Sequence, residues 1–363
     1  MFWSAIGLHL REMSLSTLFD VLASTSSQIA EYAGTPAVRS FSGVGAELSA
    51  LMHSAGISPL SWRSKLVLTG EDRQRWLNGM VTNNTRDLAI GHGNYSFLLN
   101  AQGRIQADLV AWNRGEFYLL ETDAEQNAPI KDFFDRYIIM DDVEVEDISD
   151  KLATLGVIGP ATRAVLERGG FPLPELAKGE VADLHWNDLG CSVARMPEER
   201  FQSYEIWCAP QNAKALWDAC LEAGAAPVGT EALEAHRILH GVPRIGIDIR
   251  ERDLPHETAQ LHALHYAKGC YIGQEIVERI HSRGAVHRQL TGFEFEAAPA
   301  PVGSKVIVGE KEAGEITSAV SAPVEGRMRH LALGYMRREH AGPSGEVVVA
   351  GQTARISVLP FEV

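Results

Sequence analysis

Two periods of hydrophobic and polar residues alternate along the first three quarters of the chain. Apolar residues that recur every three or four positions predict helices, and strict alternation predicts strands. The predicted helices cover residues 16–32, 46–53, 71–80, 132–139, 160–168, 213–223, 231–240 and 274–280. The predicted strands cover residues 65–69, 95–99, 104–112, 117–122, 143–148, 155–159, 191–195 and 204–208. Helices and strands are therefore mixed, as in an α+β fold.

The order strand, glycine, helix occurs twice, at residues 65–80 and at residues 155–168. This repetition predicts two pseudo-duplicated α+β halves of the ferredoxin-like type. We assign the first domain to residues 60–148, and a second, discontinuous domain to residues 14–59 and 149–282. Beyond residue 282, short alternating runs separated by glycine and proline predict a small C-terminal β-barrel over residues 283–363.

Composition and charge narrow the functional classes. The 363 residues are 45% apolar and 22% charged, which is typical of a globular protein with two or three domains. The net charge of −14 disfavours binding to nucleic acid or to anionic membranes. No apolar run is long enough to cross a bilayer. The four cysteines lack CxxC spacing, which fits a reducing compartment, so we expect a cytoplasmic protein.

A metal site has little support in the sequence. His236 and His240 have the spacing of two ligands on one helix face. Arg237, however, stands where the metalloprotease pattern requires glutamate, and no third ligand is nearby. We therefore predict no bound metal.

The stretch most indicative of chemistry is residues 268–277, KGCYIGQEIV. Gly269 and Gly273 allow tight turns, so Cys270 lies in a short loop before the helix predicted from residue 274. A helix N-terminus and the nearby ammonium of Lys268 both favour a thiolate and lower the pKa of the thiol. On these residues alone, Cys270 is either a reactive thiol or a small buried side chain.

Residues 268–275, KGCYIGQE, resemble the signature of the YgfZ family, folate-binding proteins linked to iron–sulfur protein maintenance. YgfZ proteins are similar in fold to the glycine-cleavage T-protein, an aminomethyltransferase that uses tetrahydrofolate. The resemblance implies a three-domain T-protein-like fold, tetrahydrofolate or a derivative as cofactor, and a working Cys270 supported by Lys268. The likeness begins just after Met13, so either Met1 or Met13 is the true start, and we treat residues 1–12 as disordered or uninformative.

Residues 98–110 resemble the T-protein motif LNxxGGxxDDLxV. Asp108 matches the second aspartate, and the resemblance implies that its carboxylate contacts the folate ring. Ala107 stands in place of the first aspartate, which argues against aminomethyl transfer while leaving folate binding possible. The alternation alone is equally compatible with Asp108 as an exposed polar position on a strand.

Two further partial motifs imply folate contacts. Residues 203–206, SYEI, resemble the end of the T-protein motif TGExGYEI, which implies roles for Tyr204 and Glu205. Residues 236–241, HRILHG, resemble LRLEAG, which makes Arg237 a candidate to stack on a ring or to bind a carboxylate. The alternative for Arg237 is an ordinary arginine on a helix surface.

The leading hypothesis is a cytoplasmic YgfZ-like protein that binds a reduced folate in a cleft between the two α+β halves. It would use Cys270 to support the assembly or repair of iron–sulfur proteins, including tRNA-modifying enzymes, without classical turnover. Its partners would be iron–sulfur client or assembly proteins. The alternative is a tetrahydrofolate-dependent aminomethyltransferase of the T-protein class. A third possibility is a noncatalytic scaffold in which Cys270 only packs.

Overall fold

The computed structural model describes Leu18, Leu22 and residues 28–284, 286–342 and 345–362. The chain forms two compact units. The first contains the described residues up to Trp76, together with Thr85–Asn94 and Leu109–Ala232. The second contains Leu77–Asn84, Tyr95–Asp108 and the described residues from Leu233 onward. The domain boundaries derived from the sequence remain a prediction.

Helices and strands alternate along the chain up to residue 283, and the remaining residues form mainly β-strands. The strands are β1 Ile29–Tyr32, β2 Thr35–Val38, β3 Gly56–Pro59, β4 Arg63–Thr69, β5 Gly93–Leu99, β6 Ile105–Asn113, β7 Tyr118–Asp123, β8 Glu144–Asp147, β9 Ala153–Ile158, β10 Val181–Trp186, β11 Leu189–Arg195, β12 Ser203–Cys208, β13 Ala226–Pro227, β14 Arg288–Phe295, β15 Lys305–Val308, β16 Lys311–Val324, β17 Arg327–Arg337, β18 Glu346–Val349 and β19 Gln352–Ser357. The helices are α1 Val44–His53, α2 Arg73–Met80, α3 Ala124–Asp135, α4 Thr162–Arg168, α5 Ala213–Glu222, α6 Thr230–Leu239 and α7 Gln274–Arg283.

Two of the sheets are open. A six-stranded sheet in the first unit has the order β10-β11-β12-β9-β3-β13, antiparallel except for the β3–β13 pair. Its apolar face packs on helices, with Val157, Ile206 and Trp217 in the core. A five-stranded sheet has the order β5-β6-β7-β4-β8, so β8 is an edge strand. Sheets with helices packed against one apolar face are expected from the mixed sequence periods.

The C-terminal strands close into a barrel in the second unit, with the order β14-β17-β16-β15-β18-β19. Alternate residues point inward, and Phe293, Val306, Ile316 and Ile356 fill the interior. The α+β fold with a small C-terminal β-barrel, predicted from the sequence, is thereby confirmed. Among the residues that the structure describes, no helix is both long enough and apolar enough to span a membrane.

The prediction of a helix over residues 16–32 is wrong at its C-terminal end. Leu18 and Leu22 are helical, but Ile29–Tyr32 forms strand β1, paired with β2. Ala33 and Gly34 both have positive φ, 48° and 84°, and this two-residue turn matches the twist of an antiparallel hairpin. A non-glycine residue with positive φ is hard to foresee from sequence. The expected disorder of residues 1–12 lies outside the described residues.

Other boundaries also differ from the predictions. The helix expected at residues 132–139 occurs at Ala124–Asp135, and it contains Pro129, a residue that sequence rules place at helix ends. The short strand β3 and the strand β10 were not predicted from the pattern. Strand β3 is buried on both faces, so it lacks the alternation by which a half-exposed strand is recognised.

Candidate functional site

The signature loop, residues 268–275, is held against a hairpin turn in the second unit. Gly273 has φ of 81°, and helix α7 begins directly after it at Gln274. A Cβ atom on Gly273 would lie 2.6 Å from the carbonyl oxygen of Asn100. On the other side of the contact, a Cβ atom on Gly103 would lie 2.7 Å from Cβ of Ile276. Glycine at both positions is therefore required for the hairpin and the loop to approach this closely.

Cys270 is the exposed cysteine of the chain, and it lies in the loop just before α7. The other three cysteines, Cys191, Cys208 and Cys220, are buried in the first unit. Burial raises the pKa of each of these three thiols to about 12, so they are poor nucleophiles. Exposure therefore distinguishes Cys270 from every other thiol in the protein.

The side chain of Lys268 is buried beneath the same loop. Its amine donates hydrogen bonds to the carbonyl oxygens of Val81 at 2.7 Å and Asn83 at 2.6 Å. It also lies 5.0 Å from the centroid of the Tyr271 ring. Burial lowers the pKa of Lys268 from 10.5 to about 7. A lowered pKa reduces the positive charge that Lys268 can offer to the Cys270 thiol.

Asp108 is joined to an aromatic pair in the second unit. The Tyr95 hydroxyl donates a hydrogen bond to Oδ2 of Asp108 at 2.6 Å. The Tyr95 ring stacks on His262, with ring centroids 5.3 Å apart. The side-chain amide of Asn83 donates to the carbonyl oxygens of Tyr95 and His262, both at 2.9 Å. Because Lys268 binds the carbonyl of Asn83, a continuous set of hydrogen bonds and ring contacts leads from the signature loop to Asp108.

We call this group the loop site and define it as Asn83, Tyr95, Asp108, His262, Lys268 and Cys270. Sequence reasoning identified Asp108, Lys268 and Cys270 but missed Asn83, Tyr95 and His262. A signal for Tyr95 was present, since the hairpin predicted around residues 100–103 places residues 95 and 108 on neighbouring strands. Asn83 and His262 gave no such signal, because they are 179 residues apart in the chain.

Side chains on β6 alternate between the core and the accessible side of the strand, so only one of positions 107 and 108 can present a carboxylate to a ligand. Ile105, Ala107 and Leu109 are buried, whereas Gln106 and Asp108 are partly exposed. Ala107 is only 2% exposed, so a carboxylate at this position would enter the core of this protein. The carboxylate on the accessible side of the strand is that of Asp108.

Arg237 lies on α6 in the second unit and is already held by several acceptors. Its guanidinium binds both carboxylate oxygens of Glu234, at 2.8 and 2.6 Å, and Oδ2 of Asp248 at 2.8 Å. It also donates to the Ser318 hydroxyl at 3.0 Å. Binding of a ligand by Arg237 remains a prediction, and a ligand would have to compete with these carboxylates.

Tyr204 and Glu205 lie on β12 in the first unit, and both side chains are buried. Oε2 of Glu205 accepts hydrogen bonds from Nε1 of Trp207 at 2.9 Å and from Nζ of Lys65 at 3.4 Å. Its Oε1 accepts from Nε of Arg63 at 3.2 Å. The predicted folate contacts of Tyr204 and Glu205 remain predictions.

Glu205 belongs to a group that we call the ion cluster, which comprises Arg63, Lys65, Glu121, Asp123 and Glu205. Lys65 also donates to Glu121, and Nε1 of Trp112 donates to Oε2 of Glu121 at 3.2 Å. Burial and the neighbouring Glu205 raise the pKa of Glu121 well above its ordinary value. Burial acts in the same direction on Glu205, but Lys65 and Arg63 outweigh it and hold that pKa low. The two carboxyl groups are thus shifted in opposite directions, with the pKa raised for Glu121 and lowered for Glu205.

Comparison with known proteins gives a consistent family likeness. The family model described as "GCVT N-terminal domain" matches residues 18–268. An aminomethyltransferase of Rubrobacter xylanophilus is 28% identical over 349 residues, which cover 95% of this chain and 93% of that protein. An aminomethyltransferase of Geobacillus kaustophilus is 28% identical over 354 residues, with 95% and 96% covered.

A solved structure shows a similar fold. The glycine cleavage system aminomethyltransferase T from Bartonella henselae superposes with a TM-score of 0.85 at 20% identity, covering 95% of this chain and 97% of that one. At this identity the superposition speaks to the fold alone.

Proposed function

Since this chain belongs to the family described as the GCVT N-terminal domain, we propose that it binds a reduced folate and catalyses folate-dependent one-carbon transfer of the aminomethyltransferase type. The observation that carries the proposal is similarity to named aminomethyltransferases along nearly the whole chain. The outward-facing Asp108 adds support, because it supplies a carboxylate although position 107 is alanine.

The loop site has the kinds of side chain that a reduced folate requires. A carboxylate accepts hydrogen bonds from ring nitrogens and opposes positive charge, which is the role we propose for Asp108. The Tyr95 hydroxyl holds that carboxylate in one orientation through its 2.6 Å hydrogen bond. The stacked rings of Tyr95 and His262 provide an aromatic surface of the type that packs against flat ligands. When bound, the folate would carry the one-carbon unit.

For Tyr204, Glu205 and Arg237, the folate contacts that the sequence motifs imply remain separate predictions. All three side chains are buried, and those of Glu205 and Arg237 are held by charged neighbours. The ionised Glu205 is suited to accept hydrogen bonds, since its pKa is held low by Lys65 and Arg63. We propose that these three residues affect affinity and that Asp108 affects both affinity and turnover.

Calorimetric titration of the full chain with tetrahydrofolate tests binding. We expect an affinity in the micromolar range, about −8 kcal/mol. Asp108→Asn should weaken it about tenfold or more, and Tyr95→Phe by a smaller factor, because each loses part of a charge-assisted hydrogen bond. Gln106→Ala is the matched control, since Gln106 is partly exposed on the same strand. Equal affinity in all four proteins would refute the proposed role of Asp108.

Formation of methylene-tetrahydrofolate from an aminomethyl donor tests turnover. We expect activity in the wild type and its loss in Asp108→Asn, with Gln106→Ala close to wild type. Folate binding without any turnover above the uncatalysed rate would contradict the transferase assignment and favour the second candidate.

The second candidate is the YgfZ-like function, in which Cys270 supports the assembly or repair of iron–sulfur proteins in the cytoplasm. The specific observation in its favour is the exposed Cys270 in the KGCYIGQE loop. Its partners would be iron–sulfur client or assembly proteins, including tRNA-modifying enzymes.

A Cys270→Ser replacement in the native host separates the two candidates. Under the second candidate, iron–sulfur enzyme activities should fall while folate affinity and any transfer activity are unchanged. Gly269→Ala is the control in the same loop, because a Cβ atom there would contact nothing within 4 Å. Normal iron–sulfur enzyme activities in the Cys270→Ser host would exclude this role. If the wild-type protein also failed to bind folate, the remaining hypothesis would be a noncatalytic scaffold.

A further inference from the structure

A turn after helix α3 in the first unit exposes large apolar side chains. Ile139 is 81% exposed, Met140 is 93% exposed and Tyr137 is 38% exposed. The backbone of this turn is fixed, since the N–H of Tyr137 bonds to the carbonyl of Phe134 at 2.8 Å. Nε1 of Trp76 also donates to the carbonyl of Tyr137 at 3.2 Å. The protein thus presents a group of neighbouring apolar side chains on a defined backbone. Such contiguous apolar surfaces mark interaction sites, whereas single exposed apolar residues are common on any protein.

The same part of the chain carries a high density of negative charge. Residues 131–151 contain eight acidic residues, two lysines and one arginine, a net charge of −5 in a chain of net charge −14. The acidic residues are Asp132, Asp135, Asp141, Asp142, Glu144, Glu146, Asp147 and Asp150. All except Asp141 are exposed, so their field extends into solvent next to the apolar turn.

Strand β8, Glu144–Asp147, follows the turn at the edge of the five-stranded sheet. In the part of the chain that the structure describes, its strand neighbour is β4 on one side only. Its other side presents backbone groups to which an additional strand can bond. Charged side chains on an edge strand can be explained as protection against aggregation. That explanation does not account for the exposed Ile139 and Met140, which would promote aggregation.

The negative charge of this surface limits the class of partner that can bind to it. Nucleic acids and anionic membranes are repelled by a surface of this sign. Among the described residues, no group of three or more His, Cys, Asp or Glu side chains is arranged to hold a metal ion. A protein segment that combines lysine or arginine with apolar side chains is complementary in both charge and polarity.

We propose that the apolar turn, Tyr137–Met140, and the edge strand β8 form a docking surface for such a basic protein segment. The segment pairs with β8 as an added strand, places its cations against Glu144 and against Glu146, where it competes with Lys151, and covers Ile139 and Met140 with apolar side chains. The surface is independent of folate binding and of Cys270, so it is a binding function in addition to the proposed one.

Binding of a short peptide in which lysine and valine alternate tests this proposal on the full chain. Fluorescence anisotropy should show saturable binding that weakens about tenfold or more in 1 M salt, where the Debye length is only about 3 Å. Ile139→Ser with Met140→Ser should weaken binding about tenfold, and Glu144→Gln with Glu146→Gln should do the same. Ile90→Ser is the matched control, because Ile90 is 72% exposed in the same unit and lies outside this surface.

Hydrogen exchange adds a readout of position: the bound peptide should slow exchange at Glu144–Asp147. Absence of saturable binding would overturn the proposal. So would equal binding by the wild type and both double variants, or a loss in Ile90→Ser as large as in the variants of the apolar turn. A peptide in which glutamate replaces lysine should not bind, and its binding with equal affinity would also overturn it.

Discussion

Lys65 and Lys268 are both buried lysines, but they have different partners. Lys65, in the first unit, is 1% exposed on its side chain and lies between the carboxylates of Glu121 and Glu205. Lys268, in the second unit, has two backbone carbonyls as acceptors and the face of Tyr271 beside it. Burial lowers the pKa of Lys268 to about 7. Burial alone therefore does not determine the role of a lysine, because the charge of its partners matters as much.

The comparison assigns different roles to the two regions. In the ion cluster, opposite charges compensate one another in a buried network, so removal of one member leaves another charge unpaired. In the loop site, a lysine without a carboxylate partner changes its protonation near neutral pH. The first arrangement is suited to holding strands together, and the second is suited to chemistry or regulation.

The largest effect is expected for Lys65→Met, which leaves the buried Glu205 without its ammonium partner. We expect a loss of about 3–5 kcal/mol in the free energy of unfolding, measured by urea denaturation. Lys151→Met is the control, because its partner Glu146 is on the surface and such pairs contribute about 1 kcal/mol or less. Equal losses in the two variants would show that the ion cluster is not a buried network in solution.

Gly273→Ala should cost about 1–3 kcal/mol, because a φ of 81° is unfavourable for alanine and its Cβ would press on the Asn100 carbonyl. Gly269→Ala, where a Cβ has open space, should change stability by less than about 0.5 kcal/mol. Thermal or urea unfolding measures both. Similar stabilities would mean that the signature loop is not held against the hairpin turn.

The contribution of Lys268 to the stability of the wild type should rise with pH between about 7 and 10.5. In this interval the unfolded chain binds the proton that the folded protein has lost, so the free energy of unfolding increases with pH. Lys268→Met lacks this titration, and its stability should increase less over the same interval. Parallel curves for the two proteins would contradict the low pKa.

Glu121→Gln should match the wild type in stability below pH 4.5, since glutamine resembles the protonated acid, and should be the more stable of the two proteins at pH 7 because the pKa of Glu121 is raised. Above pH 4.5 the folded wild type retains a proton that the unfolded chain releases, so wild-type stability falls relative to the variant as pH rises. Urea denaturation at several pH values measures this trend. A wild type that gains on the variant with increasing pH would show that Glu121 is ionised.

The smallest effect on stability is expected for Cys270→Ser, within about 0.5 kcal/mol, because the side chain is exposed. A thiol reagent should label one cysteine per native chain and none in this variant. The buried Cys220 should react only after unfolding. Labelling of more than one thiol in the native protein would contradict the assigned burial.

The local pattern of the sequence predicted much of the fold. Alternation identified all five strands of the five-stranded sheet and three of the six strands of the six-stranded sheet, and it located the C-terminal barrel. The start of α7 after Gly273 was also predictable, because glycine allows the left-handed conformation that precedes it. These features depend on residues close together in the chain. The hairpin β1–β2 escaped prediction because its turn relies on a strained Ala33.

The partners of the polar residues were decided by tertiary structure. The sequence placed Lys268 two residues from Cys270, but its amine reaches Val81 and Asn83, which are 187 and 185 residues away. Lys65 meets Glu205 across 140 residues. A side chain has several rotatable bonds, so its sequence neighbours do not determine where its charged end lies. Buried charge is stable only beside a specific acceptor, and the packing of distant strands and loops supplies that acceptor.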